Sequence, residues 1–177
     1  LRASAGVLPE AETLENEGQF ANFCFGQGEL LAAPVQVAGM MNAIACGGVY
    51  QTPQLVEGEW DEDAGRLCAA AEPGESCRAL SEASARALRE LLAGVVERGT
   101  GREAALPEQT AAGKTGTAQT GQFEAGQERK NHWFAGYFPA DAPRYTIVVL
   151  QDAWTDPVCS SAAIFARVAA GLEILTR

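Results

Sequence analysis

One lysine sits in an unusual setting. Ala112-Gly113-Lys114-Thr115-Gly116-Thr117-Ala118-Gln119 surrounds a single cation with small residues, and no other charge lies between Glu108 and Glu124. Lys114 is also one of only two lysines in the chain. A cation alone among Ala, Gly and Thr is not a typical solvated face. Glycines inside a strand weaken it and often mark the close approach of a ligand or another backbone. The hydroxyls of Thr115 and Thr117 are donors suited to a carboxylate. If the segment is an edge strand, its outward N–H groups are also free for an oxyanion. Alternation sends Lys114 and Gly116 one way and Thr115 and Thr117 the other, yet a pocket seated on the strand's edge is touched from both faces. The chemistry on offer is the holding of an anion beside a polarised carbonyl. The bland reading is a Gly/Thr-rich turn with an incidental surface lysine, which a bare Lys-Thr-Gly does not exclude.

Other chemistries fare worse. Gly113-Lys114-Thr115 imitates the end of a phosphate-binding loop, but the first glycine of that motif falls on Glu108, an anion where a phosphate must approach. Gly26-Gln27-Gly28 fails as a dinucleotide fingerprint because the third glycine falls on Leu31. A single histidine, His132, and the absence of any CxxC argue against a zinc site. The acidic cluster Glu57, Glu59, Asp61, Glu62, Asp63 lacks the Gly-centred spacing of a calcium loop and reads as a solvated turn. No metal and no cofactor is expected. His132 reads as a packing or rim residue.

The elements that must hold Lys114 follow from periodicity. Residues 1–32 look irregular, acidic and Gly-punctuated. Pro34 opens a helix with Val37, Met40, Met41 and Ile44 on one face, stopped by Gly47-Gly48. Residues 49–80 read as short extended pieces and turns, broken by Pro53, Gly58, Gly65 and Pro73-Gly74. Ser81 caps a second helix with Ala85, Leu88, Leu91, Leu92, Val95 and Val96 inward, Glu82 and Arg86 paired outside, and Gly99 at its end. After the 110–120 segment comes a polar loop at 121–131, then strands at His132–Phe138 and Tyr145–Leu150 joined by Pro139, Asp141 and Pro143. Trp133, Phe134, Tyr137 and Phe138 read mostly as core, and the 145–150 run reads as a strand covered on both faces. Ser160 or Ser161 caps a last helix with Ile164, Phe165, Val168, Leu172 and Leu175 inward. The fold class is α+β: a small antiparallel sheet of three C-terminal strands packed with helices.

Composition sets outer bounds. The 177 residues, 47% apolar, make one domain or a generous piece of one. The formal charge of −10 argues against nucleic acid as a partner. Residues 1–75 hold 12 acids and 2 bases and the remainder 11 of each, so the excess sits entirely in the front part. No apolar run is long enough to span a membrane, no export signal opens the chain, and a first residue of Leu1 suggests trimming. The five cysteines, Cys24, Cys46, Cys68, Cys77 and Cys159, cannot all pair internally; Cys46 reads as a small core residue, while Cys68 and Cys77 flank a turn that a local disulfide could close.

The ordered set of motifs resembles one family. Residues 22–177 look like the C-terminal part of the transpeptidase domain of penicillin-binding proteins, the class B, cell-wall-synthesising members most. The likeness runs through Gly26-Gln27-Gly28-Glu29-Leu30-Leu31-Ala32-Ala33-Pro34-Val35-Gln36, with Ala33 where the family often has Thr. It continues through Ala45-Cys46-Gly47-Gly48 and Pro53, Val95-Val96 to Gly99-Thr100-Gly101, the Lys-Thr-Gly strand, and Trp133-Phe134-Ala135-Gly136-Tyr137-Phe138-Pro139. Of the family's three signatures only Lys-Thr-Gly is here. None of the six serines has Lys three residues later or Asn two residues later. The nucleophile, its lysine, the second-motif serine and the first strands of the sheet are expected before Leu1.

The resemblance implies a serine D,D-transpeptidase acting on D-Ala-D-Ala stem peptides, inhibited by β-lactams and requiring no cofactor. Its parent would be anchored at the extracytoplasmic face of the bacterial membrane by a segment before Leu1. It implies that Lys114 supplies charge for the substrate carboxylate and polarises the second-motif hydroxyl. Thr115 and Thr117 would offer hydroxyls to that carboxylate, and Thr117 N–H would form half of the oxyanion hole. Gly116 would let the donor backbone lie against the strand, and Gln119 with the 120–131 loop would form the pocket rim. These residues alone are expected to be inactive, and the 145–150 edge, lacking its partner strand, is expected to self-associate or be covered by the N-terminal segment. A non-catalytic scaffold or binding module, a β-lactam sensor and a carboxypeptidase are the alternatives.

Overall fold

The computed structural model describes residues 4–56, 58–69 and 74–175. In chain order, a 3-10 turn at Thr13–Glu15 leads into helix α1 (Glu17–Cys24), then α2 (Pro34–Ala45) and four short strands: β1 (Val49–Gln51), β2 (Gly58–Asp61), β3 (Arg66–Ala69) and β4 (Ser76–Arg78). Helix α3 (Glu82–Arg98) and a 3-10 turn at Arg102–Ala104 follow, then β5 (Ala112–Glu124), β6 (Gln127–Phe138), β7 (Tyr145–Ala153) and α4 (Ser161–Leu175). The main sheet is antiparallel in the order β5-β6-β7, with β1-β4 and β2-β3 forming two separate ribbons. This is the α+β class read from the sequence.

Period-two alternation splits the core into two layers. Phe134 and Phe138 of β6 and Ile147 and Val149 of β7 face α4, where Phe165 lies 4.9 Å from Phe134, ring centre to ring centre. Ala135 and Tyr137 of β6, Ala112 of β5 and Val148 of β7 face the other way, onto Met41, Ile44 and Leu92 of α2 and α3. The sheet is thus sandwiched between α4 and the α2/α3 pair. The 145–150 strand packs from both faces, with Tyr145–Val149 partly buried and Leu150 exposed. Phe134, Tyr137 and Phe138 are fully buried, while Trp133 is only partly so.

Helix starts agree with the capping chemistry. Ser81 Oγ accepts from Ser84 N–H at 3.0 Å, and Ser160 Oγ accepts from Ala163 N–H at 3.1 Å, so Ser160 is the cap of α4. Ala33 has no side-chain oxygen to give; Gln36 Oε1 instead reaches back to Ala33 N–H at 2.8 Å, the second half of a capping box.

Several expectations are corrected. Residues 1–32 are not irregular throughout: Asn16 Oδ1 accepts from Gly18 and Gln19 N–H and starts α1. The 121–131 segment is not a loop. β5 and β6 continue as a ladder to Glu124↔Gln127, closed by Ala125 and Gly126 at φ 49° and 81°, the two positive values of a type I′ turn. Met40, Leu91, Val168 and Leu175 face solvent, because three strands offer each helix only a narrow contact stripe; Gly39, Ala43 and Ala45 of α2, Leu92 and Val96 of α3, and Ala162 and Ala169 of α4 supply the contact. Glu82 pairs with Arg78 at 3.7 Å, one turn back instead of forward to Arg86. Cys46 is exposed because it is the C-cap of α2, and Cys68 and Cys77 are free thiols on different ribbons, β3 and β4. Glu57 and Pro73 lie outside the described residues, and no metal-ligating group of three is found among those described.

Candidate active site

Lys114, Thr115, Gly116, Thr117 and Gln119 all lie on β5, an outer strand of the main sheet. Their cross-strand partners are Ala135, Phe134, Trp133, His132 and Lys130. The strand is pressed against the sheet where it carries no Cβ. A methyl group on Gly113 would lie 2.6 Å from Phe134 Cζ and 2.7 Å from Ala135 O, whereas one on Gly116 would meet only Trp133 Cβ, at an ordinary 3.5 Å.

Two hydrogen bonds fix which backbone groups the strand turns outward. Lys114 Nζ donates to Thr115 O at 2.7 Å, and Gln27 Nε2 donates to Thr117 O at 3.3 Å. In a strand the N–H and C=O of one residue point the same way, and alternate residues point to alternate sides. The Thr115 and Thr117 carbonyls are reached from off the sheet, so the N–H groups of both threonines also face the open edge. Alternation sends the Lys114 stem to the α2/α3 face, but its ammonium curls to that edge. It is exposed, charged and held on the ladder.

Thr115 and Thr117 project to the α4 face, into a cleft of about 330 Å³ lined also by Thr100, His132, Asp156 and Ser160. Thr115 Oγ1 lies 2.8 Å from Thr100 Oγ1. The cleft's far wall is tied down at the start of α4. Ser160 Oγ bonds Glu103 Oε2; Ser161 Oγ donates to His132 O at 2.8 Å and accepts from Gln151 Nε2 at 2.9 Å. His132 Nε2 is buried without a hydrogen-bond partner among the described residues, in keeping with its reading as a packing and rim residue.

Gln119 does not point freely into a rim. Its Nε2 donates to Glu128 Oε2 at 2.8 Å, and the other oxygen of that carboxylate accepts from Gly121 N–H at 3.1 Å, clamping the bulge between Gln119 and Phe123. Arg129 pairs with Asp152 at 2.5 Å and stacks on Trp154. The hairpin arm beyond the site is therefore braced, not loose.

A larger cleft of about 640 Å³ lies between α3 and the 105–111 segment, away from this edge. Arg89 there donates to the carbonyls of Ala140 and Asp141, and Thr110 Oγ1 donates to Asp141 Oδ1 at 2.7 Å. The Thr110 bond holds the Asp141 carboxyl below its ordinary value, while burial pushes the Tyr137 phenol up against the opposing pull of Arg89. This cleft is where hairpin and helix lock together.

The sequence reading missed Thr100 and Gln27 as neighbours of the motif. Both stand between glycines, and a polar residue between two glycines is the signal that could have marked them.

A profile of the family described as the penicillin-binding protein transpeptidase domain matches residues 2–170. The chain belongs to that family. It is 34% identical to the penicillin-binding protein PbpB of Mycolicibacterium smegmatis over 96% of this chain and 28% of that protein. Its fold superposes on penicillin-binding protein 3 from Mycobacterium tuberculosis with a TM-score of 0.81 and 32% identity, covering 98% of this chain and 41% of that one. The D,D-transpeptidase domain of a peptidoglycan glycosyltransferase from Eggerthella lenta gives a TM-score of 0.80 and 29% identity, over 99% of this chain and 43% of that one. The chain thus spans between a quarter and a half of the length of these relatives. Among the described residues, no helix of this transpeptidase-domain segment is long and apolar enough to cross a membrane.

Proposed function

We propose that these residues form the substrate-carboxylate and oxyanion edge of a serine D,D-transpeptidase that cross-links peptidoglycan and is a target of β-lactams. The observation that carries the reading is the edge of β5, with the Lys114 ammonium and the outward N–H of Thr117 on one open ladder. A peptide laid antiparallel along that edge finds a carbonyl acceptor, an amide donor and a cation in register. Lys114 and the threonine hydroxyls hold the terminal carboxylate. Gly116 keeps the strand bare for the donor backbone, and the hairpin arm that Gln119 braces through Glu128 forms the rim.

The chemistry follows. A serine from elsewhere in the longer protein attacks the carbonyl of the penultimate D-alanine and passes its proton to a base. The resulting oxyanion accepts from Thr117 N–H, and collapse expels the terminal D-alanine, protonated at nitrogen, leaving an ester on serine. The amine of a second stem then attacks that ester, forming the cross-link and returning the serine. A β-lactam opens on the same serine, but its leaving nitrogen stays tethered, so the acyl stage persists. Losing one oxyanion donor typically costs about 10²–10³ in rate, whereas losing the nucleophile removes the covalent route. These 177 residues contain no Ser-x-x-Lys, so they are inactive alone, and the parent works outside the cytoplasm, anchored to the membrane.

Among the described residues no strand pairs with the outer edge of β7. A strand of the longer protein takes that edge. In its absence the edge pairs with a second copy, which sedimentation of the isolated 177-residue chain would detect as a dimer.

The deciding experiment is intact-mass measurement of the full-length protein with benzylpenicillin, beside the sequence preceding Leu1. A one-to-one adduct carrying the whole penicillin mass, on a serine of an upstream Ser-x-x-Lys, supports the reading. No adduct and no such motif would leave a non-catalytic module that retains the fold.

A further inference from the structure

Thr100 lies 15 residues before Thr115 yet shares a hydrogen bond with it, Oγ1 to Oγ1 at 2.8 Å. It sits in a turn that has nowhere else to go. Gly99 and Gly101 N–H both donate to Val95 O, at 3.1 and 3.0 Å, folding the chain back over the end of α3. A Cβ on Gly99 would lie 2.8 Å from Val95 Cα, and one on Gly101 would lie 3.0 Å from Val95 Cγ1 and 3.2 Å from Phe134 Cε2. Phe134 is itself fully buried and is the cross-strand partner of Thr115. The glycines let the turn press onto the ring under the motif, which fixes Thr100 opposite the Thr115 side chain.

A threonine hydroxyl carries one proton and two acceptor sites. Thr115 can point its proton at Thr100 or away from it, and only the second arrangement serves an anion. A carboxylate accepts and never donates, so once one arrives at Thr115 the order becomes Thr100 O–H to Thr115 Oγ1, then Thr115 O–H to the carboxylate. Each bond in such a chain polarises the next. Thr100 is exposed on the cleft, and Thr115 Oγ1 is the one hydrogen-bond partner of its hydroxyl among the described residues.

We propose that Thr100 is a positioning residue: it orients the Thr115 hydroxyl as a donor to the substrate's terminal carboxylate and so sharpens selectivity for carboxylate-bearing substrates. The inference rests on the reading of β5 as the carboxylate-binding edge. Its test compares acylation of the full-length protein by benzylpenicillin and by the methyl ester of benzylpenicillin, which keeps the reacting ring but has no anion. The readout is the ratio of the two acylation rate constants.

Thr100→Val should lower that ratio roughly three- to tenfold, the worth of one hydrogen bond between uncharged hydroxyls. Thr100→Ser should keep it within twofold of wild type. Thr115→Val should lower it at least as far as Thr100→Val, and adding Thr100→Val to Thr115→Val should change it no further. Thr100→Ala is the second hydroxyl-free variant should valine not fit. Equal loss with acid and ester, leaving the ratio unchanged, would show a merely structural role and overturn the proposal. A wild-type protein that is acylated by neither compound would instead defeat the functional reading on which it rests.

Discussion

Gly113 and Gly116 are three residues apart on one strand, and replacing each with alanine should produce opposite phenotypes. At Gly113 the added methyl meets a ring atom at 2.6 Å and a backbone oxygen at 2.7 Å, where ordinary contact begins near 3.4 Å. Phe134 cannot retreat by the missing distance of nearly an ångström, because it is fully buried and packed on Phe165. Overpacking of this kind costs about 1–3 kcal/mol, or roughly 2–4 °C of melting temperature per kcal/mol in a domain of this size. At Gly116 the methyl meets nothing closer than 3.5 Å, and no positive φ is demanded there. Alanine should therefore leave stability unchanged or raise it by about 0.4–1 kcal/mol through the stiffer unfolded chain. The same methyl would stand where the donor backbone must lie, and a similar overpacking cost taken in the acylation transition state is roughly 5- to 150-fold in rate. The assay is a melting curve together with the rate of labelling by a fluorescent penicillin, both on the full-length protein. If G116A melts as low as G113A, or if it is labelled at the wild-type rate, the glycine is not there for the substrate.

Three other outcomes follow from single contacts. Lys114→Met keeps the stem and removes the ammonium; with a hydrogen bond to a charged group worth about 1.5–3 kcal/mol, penicillin labelling should slow roughly 10- to 150-fold without a change in melting temperature. The Asp141 carboxyl, held low by Thr110, lends stability that is complete above the ordinary carboxyl range near pH 4 and lost as pH falls through its lower folded value. The melting-temperature gap between wild type and Thr110→Val should therefore be constant at neutral pH and narrow in acid. Phe165→Ala opens a hole between two rings, at 4.9 Å and 6.1 Å from its own, and should destabilise the domain by about 3–5 kcal/mol in denaturant unfolding.

What the sequence made legible was local. Pro34, Ser81 and the Ser160-Ser161 pair announce helices because a helix start is marked within one turn, and Tyr145–Leu150 announces a strand because its apolar run matches a two-sided core. The start of α1 was hidden by composition: Asn16 is a good cap, but the helix behind it contains Gly18 and buries no residue. The far half of the β5-β6 hairpin was hidden because both its faces are polar and its turn is Ala-Gly, with alanine forced to φ 49° in place of the usual asparagine. Leu91 and Val168 misled because apolar periodicity gives the width of a stripe but not the size of the surface waiting for it.

The candidate site divides along the same line. Residue type and spacing picked out Lys114 and its neighbours, since a cation among glycines is odd wherever it occurs. No local rule could say that the Lys114 ammonium would return to the carbonyl of its own neighbour, or that Gln27 would cross 90 residues to reach the next outward carbonyl. Those two bonds change the meaning of the motif. Alternation alone puts the cation and the threonine hydroxyls on opposite faces of a sheet, where they cannot grip one anion. The open edge is the one place both can reach, because a long lysine stem can bend around a strand that, among the described residues, has no strand paired on that side. A partner strand hydrogen-bonded to β5 there would fill the edge and leave Lys114 on one face with Thr115 and Thr117 on the other. The proposed anion site therefore depends on the edge staying unpaired as much as on any side chain. Under the proposed function that gives a reason for Gly116 in particular: packing does not demand it, as it demands Gly113, and it keeps β5 bare where a peptide would complete the ladder.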